Sequence, residues 1–268
     1  METTVDQPDL LPYEVYAIKY AHHKRSIRDN YIGSDPHETG SMPMDYFVWV
    51  VRNSEHTIVV DTGFNAQVAK ARGRDFLRCP VSSLSLLDID PGSVQDVVIT
   101  HMHYDHVGNF ELFPTANFHI QDKELSFATG RSMRHAALRA AYEPRDVAEF
   151  VLRVFEDRVV FHDGDELLLP GVSLHWVGGH TAGLQAVRVW TRKGWLVLAS
   201  DAAHYYGNME LGRPFPIVYH VGDMLEGHQR LYRLADAVDL VIPGHDPEVL
   251  ARFPAAREDL AGVAARLD

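Results

Sequence analysis

The chain has 268 residues, a formal net charge of -12, 46% hydrophobic and 23% charged residues, sixteen histidines and one cysteine. That length suits one large α/β domain or two small ones, and the acidic balance argues against nucleic acid or an anionic membrane as a partner. The lone Cys79 excludes an intrachain disulfide and suits a reducing compartment. No apolar run approaches the ~18 residues of a membrane span. Met1 to Pro12 is acidic and lacks the apolar core of a signal peptide, so a cytoplasmic protein is expected.

Residues 13–20 alternate as a first strand. His22 to Pro43 is polar, with two glycines and two prolines, and is expected to be a long loop. Its His22, His23 and His37 read as solvated, and the loop is a candidate homodimer contact. Residues 46–52 and 57–60 read as paired strands joined by Asn53-Ser54-Glu55-His56. The second runs into Asp61-Thr62-Gly63, where the acid either caps a helix or backs a site histidine. Residues 65–78 look helical and basic, and Pro91-Gly92 marks a turn before a strand at 94–100.

That strand ends in Thr100-His101-Met102-His103-Tyr104-Asp105-His106-Val107-Gly108. A single His-x-His reads as an ordinary polar loop. Three imidazoles and a carboxylate within six residues form a ligand set for a borderline-soft divalent metal such as zinc. A turn at a strand end can aim them around two ions. Further along, 118–120 reads as a short strand with His119 packed on it. Residues 122–157 look helical and are divided at Pro144. Arg131, Arg134, Arg139, Arg145 and Arg153 read there as a solvated face, with a lid or an anchor for a substrate carboxylate as the alternative.

Strands are expected at 159–161, 166–169, 172–177, 185–190 and 195–200, separated by glycine-containing turns. A loop rich in Tyr, Gly and Pro spans 203–222, followed by an amphipathic helix at 223–237 and a last strand at 238–242. No repeat or linker breaks the chain, so residues 1–268 read as one domain: two sheets in a sandwich with helices outside. His180, Asp201 and His245 each stand at a strand-to-loop junction, two of them beside glycines that permit close backbone approach. With the first cluster they make five histidines and two aspartates, a full set for two metals.

His101-x-His103-x-Asp105-His106 followed by His180, Asp201 and His245, with Asp61-Thr62-Gly63 and Gly178-Gly179-His180-Thr181-Ala182-Gly183 beside them, resembles the metallo-β-lactamase superfamily. Within it the chain looks most like the N-acyl homoserine lactonase group, the quorum-quenching lactonases. The resemblance spans about residues 13 to 250. It implies an αββα sandwich of two mixed β-sheets flanked by helices, with a binuclear centre of two Zn²⁺ or other divalent ions. His101, His103 and His180 would hold one metal, Asp105, His106 and His245 the other, and Asp201 would bridge. The first-branch lactamases carry a Cys where Asp201 stands, which argues against a β-lactam antibiotic substrate.

The reaction so implied is opening of a lactone ring, of an N-acyl homoserine lactone or a related small lactone, by a metal-bridging hydroxide. Asp105 is a candidate proton relay. Many lactonases of the group carry a Tyr three residues after the bridging Asp; here His204 stands in that place, followed by Tyr205 and Tyr206. His204 either takes over the hydrogen bond to the substrate carbonyl or marks a different substrate. Phe64, Tyr104, Tyr205, Phe215 and Ile217, with Met209 and Pro216, are candidates for the substrate wall. The alternative is a glyoxalase II-like thioesterase, or another ester or amide hydrolase, on the same centre. About 18 residues follow Leu250, too few for the added helical region of such thioesterases. A non-enzymic binding protein would be expected to have lost ligands, and all seven are present.

Overall fold

In the computed structural model, which describes residues 10–268, β1 (Glu14–His23) pairs antiparallel with β2 (Met44–Arg52), and β2 with β3 (Thr57–Val60). The β2–β3 turn closes because Asn53 Oδ1 accepts the backbone N–H groups of Glu55 and His56, at 2.9 and 2.8 Å. Helix α1 (Ala66–Arg72) is capped by the Asn65 side chain and ends at Gly73 with φ 64. The helix expected over 65–78 is therefore cut short by a left-handed glycine. The chain then forms β4 (Asp75–Phe76) on β1.

Next come β5 (Asp96–Val98), β6 (Asn117–Gln121), helices α2 (Asp122–Thr129), α3 (Ala136–Arg139) and α4 (Pro144–Phe155), and β7 (Val159–His162). Pro144 begins α4, where its missing N–H costs nothing. The second half holds β8 (Glu166–Leu169), β9 (Val172–Trp176), β10 (Gln185–Thr191), β11 (Gly194–Ser200), α5 (Tyr206–Glu210) and α6 (Val221–Leu234). It closes with β12 (Val241–Pro243), α7 (Glu248–Arg252) and β13 (Ala264–Arg266).

The first sheet runs β13-β1-β2-β3-β5-β6-β7, with β4 beside β1, and the second β12-β11-β10-β9-β8. Both are mixed: β3, β5, β6 and β7 are parallel in one, and β11 with β12 in the other. The sheets face each other through alternate residues, Phe47, Trp49 and Val51 of β2 meeting Leu174, Val187 and Leu196. The intervening residues Tyr46, Val48 and Val50 pack outward under the helical side of the first sheet. Val197 and Ala199 pack outward with Leu231 of α6. Burial on both faces explains why β2, β11 and β12 read as continuous apolar runs. The architecture is the expected αββα sandwich of two mixed sheets. Among the described residues no helix is long and apolar enough to cross a membrane.

Two further stretches differ from what the sequence pattern predicts. β1 extends to His23 because it goes on pairing with β2, so His22 and His23 are half-buried strand residues rather than solvated ones. His22 Nδ1 lies 2.7 Å from Asp45 Oδ1. The remainder of the 22–43 stretch folds onto its own chain: Asn30 and Tyr31 are buried, Asn208 Nδ2 donates to the Asn30 carbonyl, and Arg213 pairs with Glu38. The other stretch is β13, which no apolar run announced; it completes the edge of the first sheet beside β1.

Candidate metal centre

The seven ligand-type residues come from loops at one edge of the sandwich. Asp61 follows β3 and residues 101–106 follow β5, at the matching ends of two parallel strands. His180 lies between β9 and β10, Asp201 follows β11, and His245 follows β12, parallel to β11. The two sheets are tied at this edge. Gln185 Nε2 of β10 donates to the Ile99 carbonyl at 2.9 Å, and Ser200 Oγ lies 2.8 Å from Thr100 Oγ1. Asp61 and Ser200 both carry positive φ, 63° and 48°, a conformation non-glycine residues rarely keep outside constrained sites. A side chain at Gly244 would stand 2.7 Å from Asp201 Oδ1, so glycine is needed for the carboxylate to fit.

Asp201 sits at the centre with its two oxygens divided. Oδ2 lies 3.7 Å from His101 Nε2 and 3.2 Å from His180 Nε2; Oδ1 lies 3.2 Å from His106 Nε2 and 2.9 Å from His245 Nε2. His103 Nδ1 faces His180 Nε2 at 2.9 Å. Asp105 oxygens stand 3.9 Å from His106 and 3.8 Å from His245. The donors fall into three overlapping compact sets: His101, His103, His180 and Asp201; Asp105, His106 and His245; and Asp201, His204 and His245, the last sharing Asp201 and His245 with the other two.

The test of whether these donors fit metal ions is what they bond to otherwise. Among the described residues, eleven buried side-chain polar atoms have no hydrogen-bond partner, and six are here: His101 Nε2, His106 Nε2, His180 Nδ1, Asp201 Oδ1, His204 Nδ1 and His245 Nε2. Buried polar atoms left unpaired in one cluster cost stability unless something else satisfies them. Divalent cations would satisfy the four that face the centre, Nε2 of His101, His106 and His245 and Oδ1 of Asp201, and imidazole with carboxylate is the donor chemistry zinc takes. The opposite ring nitrogens are held: His106 Nδ1 by Asp61 Oδ2 at 2.7 Å, and His245 Nδ1 by the Asp45 carbonyl at 2.8 Å. That orients each ring with Nε2 toward the centre.

The electrostatics match this division. Burial and neighbouring imidazoles push His101 and His103 well below the ordinary imidazole value, so both are neutral. Burial opposes a charge on His106, but Asp201, Asp61 and Asp105 together raise it well above its ordinary value. Burial also opposes ionisation of Asp201, yet His204, His245 and His106 hold it well below the usual carboxylate range. The cluster holds its negative charge between imidazoles, in the place a bridging ligand would occupy.

The profile of the metallo-β-lactamase superfamily matches residues 43–245. The chain belongs to that superfamily. It is 28% identical over 228 residues to the N-acyl homoserine lactonase AiiB of Rhizobium rhizogenes, covering 76% of this chain and 80% of that protein. It is 25% identical over 239 residues to a probable metallo-hydrolase of Mycobacterium tuberculosis, covering 75% and 74%. An N-acyl homoserine lactone hydrolase solved with N-hexanoyl-L-homoserine at its catalytic metal centre shares the fold, at a TM-score of 0.73 and 20% identity over 91% of this chain and 97% of that one. The profile begins at β2 and ends at His245, so β1 and β13 lie outside it although they complete the first sheet.

Above the cluster is a cavity of ≈ 160 Å³ lined by His103, Asp105, His180, Asp201 and His204 on the floor side, and by Tyr104, Phe215 and Ile217 around it. Phe64 does not line it. Its ring is buried behind the wall, stacked 5.5 Å from Tyr104 and edge-on to Tyr46, because the Asp61-Thr62-Gly63 turn feeds it into the core. Tyr205 does not line it either; the chain turns into α5 there, and the ring is fully buried against the folded 30–43 stretch. Met209 packs on the far side of the second sheet.

His204 lies at the cavity with Nε2 3.0 Å from Asp201 Oδ2, its ring stacked on Phe215 at 3.7 Å. Burial pushes it down to about 3, so it is a neutral imidazole.

Three groups of residues escaped the sequence reading. Glu124, fully buried on α2, accepts the Met102 and Gly183 N–H groups at 2.9 and 3.0 Å and the Thr181 and Tyr142 hydroxyls at 2.6 and 3.2 Å. It locks the His101–His103 loop to the His180 loop. Arg25, Arg72 and Arg74 line the cavity, whereas Arg131, Arg134, Arg139 and Arg145 are exposed on the surface. The helical block contributes small residues instead, Ala137, Ala140 and Ala141. Tyr46 of β2 also lines the cavity, its hydroxyl 3.1 Å from that of Tyr104. Only Glu124, an acid followed by apolar Leu125, Phe127 and Ala128 on α2, left any trace in the sequence.

Proposed function

We propose that this metal-dependent hydrolase opens the ring of a small lactone at a centre of two divalent ions, with zinc as the expected metal. The observation that carries the reading is the division of the Asp201 carboxylate between two sets of imidazoles at the floor of a small cavity. In this reading His101, His103 and His180 hold one ion, Asp105, His106 and His245 the other, and Asp201 bridges. Such a pair supplies, when bound, a water acidified toward neutrality and a Lewis acid for the scissile carbonyl. Relatives named as N-acyl homoserine lactonases support the lactone, and residues 1–268 would act on it as one domain, any homodimer contact aside.

The chain's own residues set the rest. Asp105 is fixed through its backbone, where the Tyr20 hydroxyl donates to its carbonyl at 2.8 Å. Its side chain lies at the cavity and is placed to take the proton released by the attacking water and return it to the leaving alkoxide. His204 acts through Asp201: its Nε2–H donates to Oδ2, fixing the bridging carboxylate while Phe215 fixes the ring. Tyr104, held by Tyr46 and by Arg74 at 3.0 Å, faces substrate with Ile217 and Phe215 as wall residues.

A substrate panel tests this reading. Purified protein supplied with zinc is assayed on short- and long-chain N-acyl homoserine lactones, simple γ-lactones and aromatic lactones, with a thioester as control. The expected result is lactone opening, with compact substrates preferred because the cavity is small. Thioester hydrolysis with every lactone inert would overturn it.

A further inference from the structure

The cavity wall carries positive charge that ring opening leaves unused. Arg25, Arg72 and Arg74 reach the cavity that contains Asp105, Asp201 and His204. Each guanidinium is fixed mainly by neutral groups. Arg25 Nε donates to Asn30 Oδ1 at 2.6 Å and Nη2 to the Asp29 carbonyl. Arg72 donates to the Ala140 and Tyr142 carbonyls, both at 2.9 Å, and lies 4.0 Å from the Tyr104 ring centre. Arg74 Nε donates to the Tyr104 hydroxyl at 3.0 Å and Nη1 to the Arg72 carbonyl at 2.7 Å.

Among the described residues, neither Arg25 nor Arg74 has a carboxylate within ion-pair distance, and Arg72 meets only Glu143 at 3.9 Å. Arg213, which follows α5 and packs on the folded 22–43 stretch, shows the contrast: it is paired twice with Glu38, at 3.1 and 3.0 Å. Arg25 Nη1 and Arg74 Nη2 have no partner among the described residues. Both arginines also sit one aromatic ring from the floor. Arg25 lies 5.0 Å from the ring centre of Phe215, which stacks on His204, and Arg74 bonds Tyr104, which adjoins Asp105 in sequence. Fixed, half-buried guanidinium groups with free N–H donors are preorganised for a carboxylate, which they bind through paired hydrogen bonds. The two floor carboxylates are not available to neutralise them, because in the proposed centre both are ligands.

We propose that the cavity selects a compact lactone bearing a free carboxylate, with Arg25 and Arg74 as the residues that recognise it and Arg72 supporting them. This rests on the lactonase reading and names the substrate class within it.

The test uses the zinc-loaded full chain and a matched pair of probes, 5-oxotetrahydrofuran-2-carboxylate and the corresponding carboxamide, which differ in charge but hardly in size. The carboxylate should be favoured by about 10- to 100-fold in kcat/KM, mostly through KM, and the preference should shrink with added salt. Arg25→Gln should cut that ratio at least about tenfold and Arg25→Lys should restore part of it. Because the readout is a ratio within one preparation, loss of folded enzyme cancels. Equal use of the two probes, or a ratio unchanged in Arg25→Gln, would overturn the proposal. If neither probe is hydrolysed, the lactonase reading fails for this class, and calorimetric titration of the same pair still decides. Tighter binding of the carboxylate upholds the anion site, and equal or absent binding rejects it.

Discussion

The floor of the cavity is built from the loops at strand ends and the wall from loops, short helices and the start of β2, and the two differ in how their side chains are held. On the floor, His106 and His245 are each fixed by a hydrogen bond on the ring nitrogen facing away from the centre, and Glu124 fastens two ligand loops together. The wall side chains come from Arg25, Met44, Arg72, Arg74, Ala137, Ala140, Phe215 and Ile217, spread over most of the chain. On the proposed reading the floor sets the chemistry and the wall sets which molecule meets it, so substitutions in the two regions should fail differently.

The sharpest division is expected from Asp201→Asn. Losing the charge proposed to bridge two ions should lower turnover by more than about 1,000-fold on every substrate alike, measured as kcat/KM across the lactone panel. Activity kept within about tenfold would break the distinction. Glu124→Ala should come next. It deletes an acceptor of four hydrogen bonds and strands buried donors, a loss of about 2–4 kcal/mol in urea unfolding, with metal affinity falling as the two loops separate. A neutral result would mean that the loops hold their places without it. The smallest effect belongs to the wall. Ile217→Ala, at a half-exposed position, should leave bound metal unchanged and alter relative KM values by about two- to tenfold in favour of bulkier lactones. A uniform loss across substrates would move Ile217 from the wall to the floor.

The floor was legible in the sequence because its residues obey one local rule. His101, His103, Asp105 and His106 crowd a single strand end, while His180, Asp201 and His245 each close another, and a parallel or hairpin sheet brings such ends to one edge. Asp61 was legible as one of two possibilities, since an acid closing a strand suits a cap or a backing hydrogen bond; the 2.7 Å contact to His106 settles which. The wall was not legible, because no local pattern distinguishes Arg25 or Arg74 from a surface arginine. The dense run of arginines over 131–153 drew attention, yet helix geometry turns those groups mostly to solvent, while Ala137, Ala140 and Ala141 face the cavity. Phe64 and Tyr205 show the same limit from the other side: closeness to a motif in sequence placed them at the site, and packing took both into the core. Strand β13 escaped because Ala264–Arg266 has no length or β-branched content of its own and is held by pairing with β1.

The central claim is that these donors form a two-ion centre, and metal analysis by mass spectrometry of folded protein prepared without chelator tests it most directly. The account predicts about two zinc-type ions per chain, with activity lost on chelation and regained on adding zinc back. Folded, active protein that contains no divalent metal would contradict it.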